Sequence, residues 1–377
     1  MTAPERRSEV GGARAAIRVE RASAADRARW DAFVEARPEA DVLQTWAWGD
    51  VTEPSGERPV RLVARRGDEV VGVAAILVRA SVAGRAVGYV PHGPVWRRDD
   101  PDADAILRAM MAGIRRAGRE ERAIVVKADP RAVPGEDAAA LATLLANLGL
   151  RRSPHDLQAR TTRIVALNGG GDALRAGWDT KARSRVRRAA EAGVEVVVHR
   201  GPDGPSLRAF HEFLAATARN AGFRTHDLAH FERIAAALAP DGRWYQAVTS
   251  YEGRVLGSVV TPRLGDRAYY LYGATAIHEA PETRDLFPAY AGLAGAMDAL
   301  AADGVATLDL WGVAEPGDEG ADPSWAGFSE FKRHFRGEPL AHPGTWDLVV
   351  SPAWNAVRTG LERVRDARAS GRGGGAA

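Results

Sequence analysis

The chain of 377 residues repeats one pattern of predicted secondary structure at a spacing of 182 to 185 residues. Each copy is an antiparallel meander that is followed by a helix and a buried strand. Residues 71–72 correspond to 256–257, and residues 85–86 correspond to 267–268. Because a meander cannot bury its faces without a packing helix, each copy needs a hydrophobic core of its own. The repeat therefore predicts a duplicated α/β domain.

Hydrophobic periodicity and turn residues locate the elements of each copy. The first copy has predicted strands at 59–65, 70–80, 85–90 and 123–128, with helices at 102–119 and 137–148. The second copy has predicted strands at 243–251, 255–264, 267–274 and 305–311, with a helix at 285–302. A strand at 16–20, a helix from Ser23 to Phe33 and a short amphipathic helix within 43–51 precede them, and a strand at 345–350 and a helix at 353–368 end the chain.

These elements predict two domains with an exchanged C-terminal segment. The second copy is complete before residue 340, so the last strand and helix are free to return to the first domain. We therefore predict a first domain of 15–165 plus 341–369 and a second domain of 166–340. Residues 1–14 and the tail 370–377 have the composition of flexible ends.

Composition excludes several classes of function. The chain has no cysteine, which removes disulfides, thiolate metal sites and cysteine nucleophiles. Its formal net charge is only +2, so any polyanion must bind to a local patch. The sequence has no apolar run long enough for a membrane span and no apolar block near its start that would serve as a secretion signal. We expect a soluble cytoplasmic protein, with peripheral membrane contact left open.

The strongest charge cluster is Lys-Ala-Arg-Ser-Arg-Val-Arg-Arg at 181–188. On a helix, Lys181, Arg185 and Arg188 share one face, whereas Arg183 and Arg187 share another. With no acidic residue inside the run, these five cations are a candidate site for RNA or diphosphate phosphates. The alternative is a solvated basic helix.

Three further motifs are candidates for a site. In the first, Phe331-Lys332 follows a polar, acidic stretch at 314–327, and a loop of this kind can deliver a lysine to a site; the alternative is a helix turn with Phe331 packed in the core and Lys332 in solvent. In the second, Tyr89 ends a strand that breaks into a Pro/Gly loop. The third is the run 269–273, in which strand alternation puts Tyr270 and Tyr272 on one face.

Other motifs give weaker evidence of a functional site. His226 and His230 have the spacing of a metalloprotease pair, but aspartate replaces the expected glutamate and no third ligand is in place, so we predict no metal site. The sequence contains no P-loop, no G-x-G-x-x-G fingerprint and no G-x-S-x-G elbow, so we predict no nucleotide cofactor and no serine nucleophile.

Taken together, the motifs resemble the FemABX family of peptidyltransferases. The matching segments occur in family order and are LQTWAWGDV (43–51), RAVGYVPHGPV (85–95), KARSRVRRAAEAGVEV (181–196), ARNAGFRTHDLAHFERI (218–234), YLYGA (270–274), LDLWGV (308–313), FSEFKRHFRGE (328–338) and PGTWDLVVSP (343–352). The resemblance implies two tandem N-acetyltransferase-like (GNAT) domains with the active-site cleft between them. It also implies the type without a coiled-coil arm, since 203–240 has room only for two ordinary helices.

The resemblance also implies site residues. Phe331 and Lys332 match the family's catalytic Phe-Lys pair. The residues expected to hold the muropeptide are Trp46, Thr52, Tyr89, Arg224, Tyr270 and Tyr272, and those expected to bind tRNA are Lys181, Arg183, Arg185, Arg187 and Arg188. Three positions depart from the family: Thr52 stands near a frequent lysine, His92 where arginine is common, and Arg185 in place of a usual asparagine.

The implied reaction is transfer of an amino acid from aminoacyl-tRNA to the stem-peptide amine of a peptidoglycan precursor, forming the interpeptide bridge. The acceptor is UDP-linked or lipid-linked, aminoacyl-tRNA is a co-substrate rather than a cofactor, and we expect a monomer. Lys332 is assigned to stabilisation of the oxyanion. Two alternatives share the fold: a CoA-dependent N-acyltransferase, disfavoured because no pyrophosphate-binding loop is evident, and a tRNA-dependent amide-forming enzyme of antibiotic biosynthesis. A binding protein with a dead site is a third, non-enzymatic alternative.

Overall fold

The computed structural model describes residues 15–167, 169–221, 225–315 and 325–361. The ends predicted to be flexible and the last residues of the predicted helix 353–368 lie outside this part of the chain. Of that helix, residues 352–361 are helical.

The first half begins with a strand and two short helices before its meander. Its elements are β1 (Ile17–Arg21), α1 (Arg27–Glu35), α2 (Trp46–Thr52), β2 (Glu57–Arg66), β3 (Glu69–Ala80), β4 (Ala86–Val90), β5 (Val95–Trp96), α3 (Ala103–Glu120), β6 (Ala123–Ala128), α4 (Ala138–Asn147) and β7 (Arg151–Arg152). Polar caps set two helix starts: the Thr45 hydroxyl accepts from Trp48 N at the start of α2, and Asp137 accepts from Ala139 N at the start of α4.

The second half repeats this order, but the two helices that precede its meander are longer. Its elements are β8 (Thr161–Ala166), α5 (Gly171–Ala176), α6 (Thr180–Glu191), β9 (Glu195–His199), α7 (Gly204–Ala221), α8 (Leu228–Leu238), β10 (Gln246–Tyr251), β11 (Arg254–Val260), β12 (Arg263–Leu264), β13 (Arg267–Tyr269), β14 (Tyr272–Thr275), α9 (Pro288–Ala302), β15 (Thr307–Asp309), α10 (Ala326–Arg333) and β16 (Glu338–Ala341). The chain then forms β17 (Trp346–Val349) and α11 (352–361).

The first-half sheet has the order β1-β2-β3-β4-β6-β17-β7, with β5 beside β3. The strands β4 and β6 run parallel, and α3 is the connection between them. The strand β17, which follows the whole second half in the chain, pairs antiparallel with β6. The last strand in the described part of the chain therefore belongs to the first sheet.

The second half holds two sheets, of order β14-β11-β10-β9 and β12-β13-β15-β8-β16. The single strand predicted at 267–274 is wrong in one respect, because it is two strands in different sheets. The strand β13 runs parallel to β15, whereas β14 pairs with β11. The chain changes sheets at Tyr270, whose N–H donates to the carbonyl of Asp309 at 2.8 Å. The two sheets of the second half therefore separate at Tyr270.

The duplication is visible in matching helix–strand contacts. A Cβ added at Gly113 of α3 would lie 2.4 Å from Val19 of β1, and one added at Gly295 of α9 would lie 2.5 Å from Val196 of β9. In each half, the helix after the meander therefore approaches the first strand through a glycine, where a larger side chain would clash. This shared close approach shows two tandem α/β units of the same architecture, as the repeat predicts.

The domain boundary predicted between 165 and 166 divides a strand. The strand β8 pairs with β15 and β16 of the second half, so the second unit begins no later than Thr161. Between β9 and β10 the described residues form the two helices α7 and α8, which pack on each other through Phe210 and Phe231 at 5.1 Å.

Candidate active site

A small cavity lies where the two halves meet. It opens near the ends of the equivalent buried strands β6 and β15, because Arg131 follows β6 and Asp309 ends β15. The residues that line it are His92, Arg131, Ala159, Thr162, Asp309, Trp311, Gly312 and His342. The two halves thus each contribute charged side chains to one small cavity.

A buried arginine joins the halves across this cavity. Arg131 is 5% exposed and forms ion pairs with Asp309 of the second half and with Asp41 of the first, the latter at 3.3 Å. Asp309 also accepts from the hydroxyl of Thr162. Burial alone would lower the pKa of Arg131, but the two carboxylates outweigh it and raise the pKa above its ordinary value. Arg131 is therefore a permanent charge at the interface.

A second buried network supports the cavity from the first half. The His92 ring contacts Asp41, and the backbone N–H of His92 donates to the Asp129 carboxylate at 2.7 Å. Burial alone would raise the pKa of Asp41, but His92 and Arg131 outweigh it and hold this pKa below its usual range. Burial raises the pKa of Asp129, which also accepts from the Tyr89 hydroxyl at 2.8 Å. This network fixes the loop after β4 against the cavity.

Lys332 contacts Gly312, one of the residues that line this cavity. Its side chain is 8% exposed, and its Nζ donates to the carbonyl of Gly312 at 2.9 Å. The rings of Tyr270 and Phe328 lie 5.1 and 5.0 Å from Nζ. Burial lowers the pKa of Lys332 to about 7, with only a partial opposing effect from Asp309. The solvated lysine that we considered as an alternative is therefore wrong, and this amine changes charge near neutral pH.

A short turn connects the interface arginine to this lysine. Asp309, held by Arg131, accepts from the Trp311 N–H at 2.7 Å. Trp311 has a positive φ of 59°, which is uncommon for a residue with a side chain and is stabilised here by that hydrogen bond. The next carbonyl, that of Gly312, faces Lys332. The position of the amine thus depends on an interaction between the halves.

Phe331 packs against the second-half core and not against the Lys332 amine. Its ring packs edge-on against Tyr290 at 4.9 Å and against Phe335 at 5.4 Å. Phe331 therefore anchors α10 to the second-half core, as the alternative interpretation of this motif proposed.

Tyr270 and Tyr272 both have phenols without a hydrogen-bond partner among the described residues. Burial raises the pKa of Tyr270 above its ordinary value and that of Tyr272 to about 12, so both stay protonated donors. Tyr270 lies beside Lys332, whereas Tyr272 packs edge-on against Phe231 at 5.1 Å. Both hydroxyl groups are thus free to bind a ligand.

The other residues expected to hold the muropeptide lie elsewhere or are engaged. The Thr52 hydroxyl donates to the carbonyl of Gly49 at 3.0 Å, so it is not oriented toward a phosphate. Trp46 is buried against Trp30 and Arg61. Tyr89 is committed to Asp129, and Arg224 lies outside the described residues. Thr52 and Trp46 thus shape the core of the first half.

The basic helix α6 is more neutralised than its sequence indicates. Lys181 pairs with Glu330 at 3.0 Å, and Arg187 pairs with Glu191, just outside the run, at 3.5 Å. Arg185 bonds the Tyr290 hydroxyl and lies over that ring, and Arg188 lies over the ring of Phe287 at 4.8 Å. Among the described residues, Arg183 donates hydrogen bonds to Ala176 O and Thr180 Oγ1 near the helix start. The helix keeps exposed cations, but Arg185 and Arg188 also serve packing.

Sequence reasoning missed Asp41, Arg131 and Asp309. A signal was present, since Arg131 and Asp309 are charged residues at the ends of two predicted buried strands that occupy matching places in the repeat. Among the residues that the structure describes, no group of three or more potential ligands is arranged for a metal ion, and the rings of His226 and His230 stack at 3.9 Å. No helix in the described ranges has the length and hydropathy of a membrane span.

Both halves of the chain are similar to known proteins. Residues 26–140 match the FemAB family, and residues 179–333 match the acetyltransferase (GNAT) domain. A lipid II:glycine glycyltransferase of Staphylococcus saprophyticus is 30% identical over 220 residues, which are 56% of this chain and 51% of that protein. The chain therefore spans about half the length of the curated relatives it matches.

Solved structures show the same architecture. The crystal structure of FemX matches with a TM-score of 0.77 at 21% identity and covers 90% of this chain and 99% of that one. A tandem GNAT protein from the clavulanic acid biosynthesis pathway matches with a TM-score of 0.57 at 14% identity and covers 89% of this chain and 99% of its own. The fold is thus two GNAT-like domains in tandem.

Proposed function

We propose that this chain, which belongs to the FemABX family, is an aminoacyltransferase that moves an amino acid from aminoacyl-tRNA to the stem-peptide amine of a peptidoglycan precursor. Its curated relatives are lipid II:glycine glycyltransferases, which supports a muropeptide acceptor. The observation that carries the proposal is the buried Lys332 amine beside the cavity between the halves.

The proposed reaction is direct attack of the acceptor amine on the ester carbonyl of the charged tRNA. The new amide C–N bond forms, the C–O bond to the ribose breaks, and the amine proton passes to the ribose oxygen, directly or through water. Because the ester is already activated, the step needs no second nucleotide. The negative charge that develops on the carbonyl oxygen must be stabilised, and this is the largest demand on the site.

Lys332 meets this demand in its ammonium form. An opposite charge within a few ångströms favours the charged form of a lysine, so the developing oxyanion raises the pKa of Lys332 from its resting value of about 7. Gly312 O and the Tyr270 ring hold the amine in place without neutralising it. The buried, pre-positioned cation then acts where the dielectric is low, and there its attraction is strongest.

The phenols of Tyr270, which lies beside Lys332, and of Tyr272 are proposed to bind the acceptor. Tyr270 and Tyr272 remain protonated and have no partner among the described residues, so they can donate hydrogen bonds to sugar or phosphate oxygens. Arg224 is proposed to contact the same phosphates on the basis of the family resemblance. The exposed cations of α6, above all Arg183, are proposed to contact tRNA phosphates.

A transfer assay with alternative donors and acceptors tests this function. Purified protein is incubated with charged tRNA or acetyl-CoA as the donor, and with a lipid-linked or a UDP-linked muropeptide as the acceptor. We expect labelled amino acid on a muropeptide with the tRNA donor and no acetyl transfer. Acetyl transfer without aminoacyl transfer would assign the chain to the CoA-dependent alternative, and transfer to neither acceptor would contradict the proposal.

A further inference from the structure

The first half carries an open groove of about 880 Å³ on the face of its sheet opposite α3. Alternation along β3 and β4 directs Leu77, Arg79, Val87 and Tyr89 to this face, while their neighbours pack against α3. The helix α11 forms one wall through Arg358, Thr359 and Leu361. The groove is distinct from the cavity between the halves.

Exposed apolar side chains are concentrated around this groove. Val82, Leu157 and Leu361 line it and are 39, 46 and 53% exposed, and Val357, one helical turn before Leu361, is 49% exposed. In the described part of the chain, only two other large apolar side chains, Val197 and Phe328, are exposed to this degree. Such clustering marks an interaction surface rather than chance exposure.

Cations without a carboxylate partner lie beside the same helix, α11. Arg115 and Arg151 line a second groove of about 520 Å³ on the other side of α11, and the Arg85 guanidinium lies 5.0 Å from the ring of Trp354 on that helix. Within the described ranges none of these three arginines has an Asp or Glu oxygen within 4.0 Å. The unpaired charge at this surface is therefore mainly positive.

The remaining charges of the grooves are largely balanced. Lys127 and Arg358 share Asp347, at 2.7 and 3.7 Å. Glu57 is the one carboxylate among the lining residues of the two grooves, and it is the cross-strand neighbour of Arg79. The surface formed by Val82, Leu157, Val357 and Leu361 with Arg85, Arg115 and Arg151, here called the α11 face, thus combines exposed apolar side chains with unpaired arginines on both sides of α11.

We propose that the α11 face docks onto an anionic phospholipid bilayer. Its apolar side chains would enter the boundary between headgroups and acyl chains, and its arginines would bind lipid phosphates. This combination is typical of peripheral attachment, in which burial of apolar area and attraction to anionic lipid add together.

The α11 face is linked to the candidate active site through one shared carboxylate. Tyr89, which lines the groove, donates to Asp129, and the same carboxylate accepts from the N–H of His92, which lines the cavity. If the proposed function is correct, docking would therefore bring the cavity close to an acceptor anchored in the same membrane.

Vesicle co-sedimentation of the full chain tests the docking. The probes are vesicles of phosphatidylcholine alone and of phosphatidylcholine mixed with phosphatidylglycerol. We expect binding to the anionic vesicles that weakens with salt, and a loss of about tenfold or more in the Val357→Glu/Leu361→Glu double variant. Val197→Glu, at a residue equally exposed in the second half, is the matched control and should bind like wild type.

Three results would overturn the inference: equal wild-type binding to both vesicle types, no binding to either, or wild-type binding by the double variant with its circular dichroism unchanged. Analytical ultracentrifugation measures self-association of the wild type and of the double variant. If the wild type forms a dimer that the double variant does not form, and neither binds vesicles, the face would be assigned to a second copy of the chain. Wild-type transfer to the soluble UDP-linked acceptor, measured separately, reports on the proposed function alone.

Discussion

The Nζ of Lys332 donates a 2.9 Å hydrogen bond to the carbonyl of Gly312, in a turn that Asp309 fixes through the Trp311 N–H. Asp309 is in turn paired with Arg131 of the other half. The amine that we assign to catalysis is therefore positioned by an ion pair between the two halves, and its surroundings keep it nearly dry.

The pH dependence of transfer should report the charge of Lys332. With a pKa of about 7, the ammonium population falls as pH rises through that value, so kcat/KM should decline by up to tenfold per pH unit above it. Lys332→Arg, which keeps its charge at every working pH, should lose this limb of the profile even if its absolute rate is lower. An unchanged limb in the variant would assign the ionisation to another group.

Removal of Arg131 should destabilise the interface. In Arg131→Met, Asp41 and Asp309 remain buried without their cation, which is expected to cost roughly 3–5 kcal/mol in the free energy of unfolding. Urea denaturation measures this change. Arg97→Met, which removes the more exposed pair with Glu69, should change stability by less than about 1 kcal/mol, and equal effects in the two variants would contradict the assignment.

Substitutions of the tyrosines where the two sheets separate should distinguish an effect on ligand binding from an effect on stability. Tyr270→Phe and Tyr272→Phe remove hydroxyls without a described partner, so they should raise the KM for the muropeptide with little change in stability. Tyr269→Phe should do the reverse and cost about 1 kcal/mol, because the Tyr269 hydroxyl donates to the carbonyl of Ala40 at 2.9 Å inside the core. Unchanged KM values in the first two variants would exclude these phenols from the acceptor site.

The arginines of the basic helix α6 should likewise differ, one affecting tRNA binding and the other affecting stability. Arg183→Ala should weaken tRNA binding and lower the slope of log K against log salt by about 1. Arg185→Ala should mainly lower the melting temperature, because Arg185 lies between Phe287 and Tyr290. A normal salt slope in Arg183→Ala would place the tRNA phosphates elsewhere.

The sequence was sufficient to predict the repeat, most strands and the FemABX resemblance, because hydrophobic alternation and turn residues are local signals. The split of 267–274 was not predictable, since it depends on Tyr270 bonding to Asp309, 39 positions along the chain. The burial of Lys332 was not predictable either. An amphipathic stripe fixed the inward side of Phe331, but only the tertiary position of Gly312 and Tyr270 covers the amine.

Lys332→Met should also change the pH dependence of stability. The folded-state pKa of about 7 lies below the ordinary value near 10.5, so burial of the ammonium destabilises the fold. This penalty is complete below pH 7 and disappears as pH rises from 7 to about 10.5. Urea denaturation at pH 6 should therefore show the variant to be more stable than wild type, and the difference should vanish near pH 10.5. A lower stability at pH 6 would indicate that the charge is compensated in the fold.

Single-turnover transfer by Lys332→Met tests the central claim most directly. Enzyme in excess over labelled aminoacyl-tRNA, with saturating muropeptide, isolates the bond-forming step, and Arg254→Met, at an exposed cation of the second half outside α6, is the matched control. Loss of one oxyanion donor is expected to slow this step by on the order of a hundredfold, whereas the control should stay close to wild type. A Lys332→Met rate equal to that of wild type would contradict the assignment of this amine to catalysis.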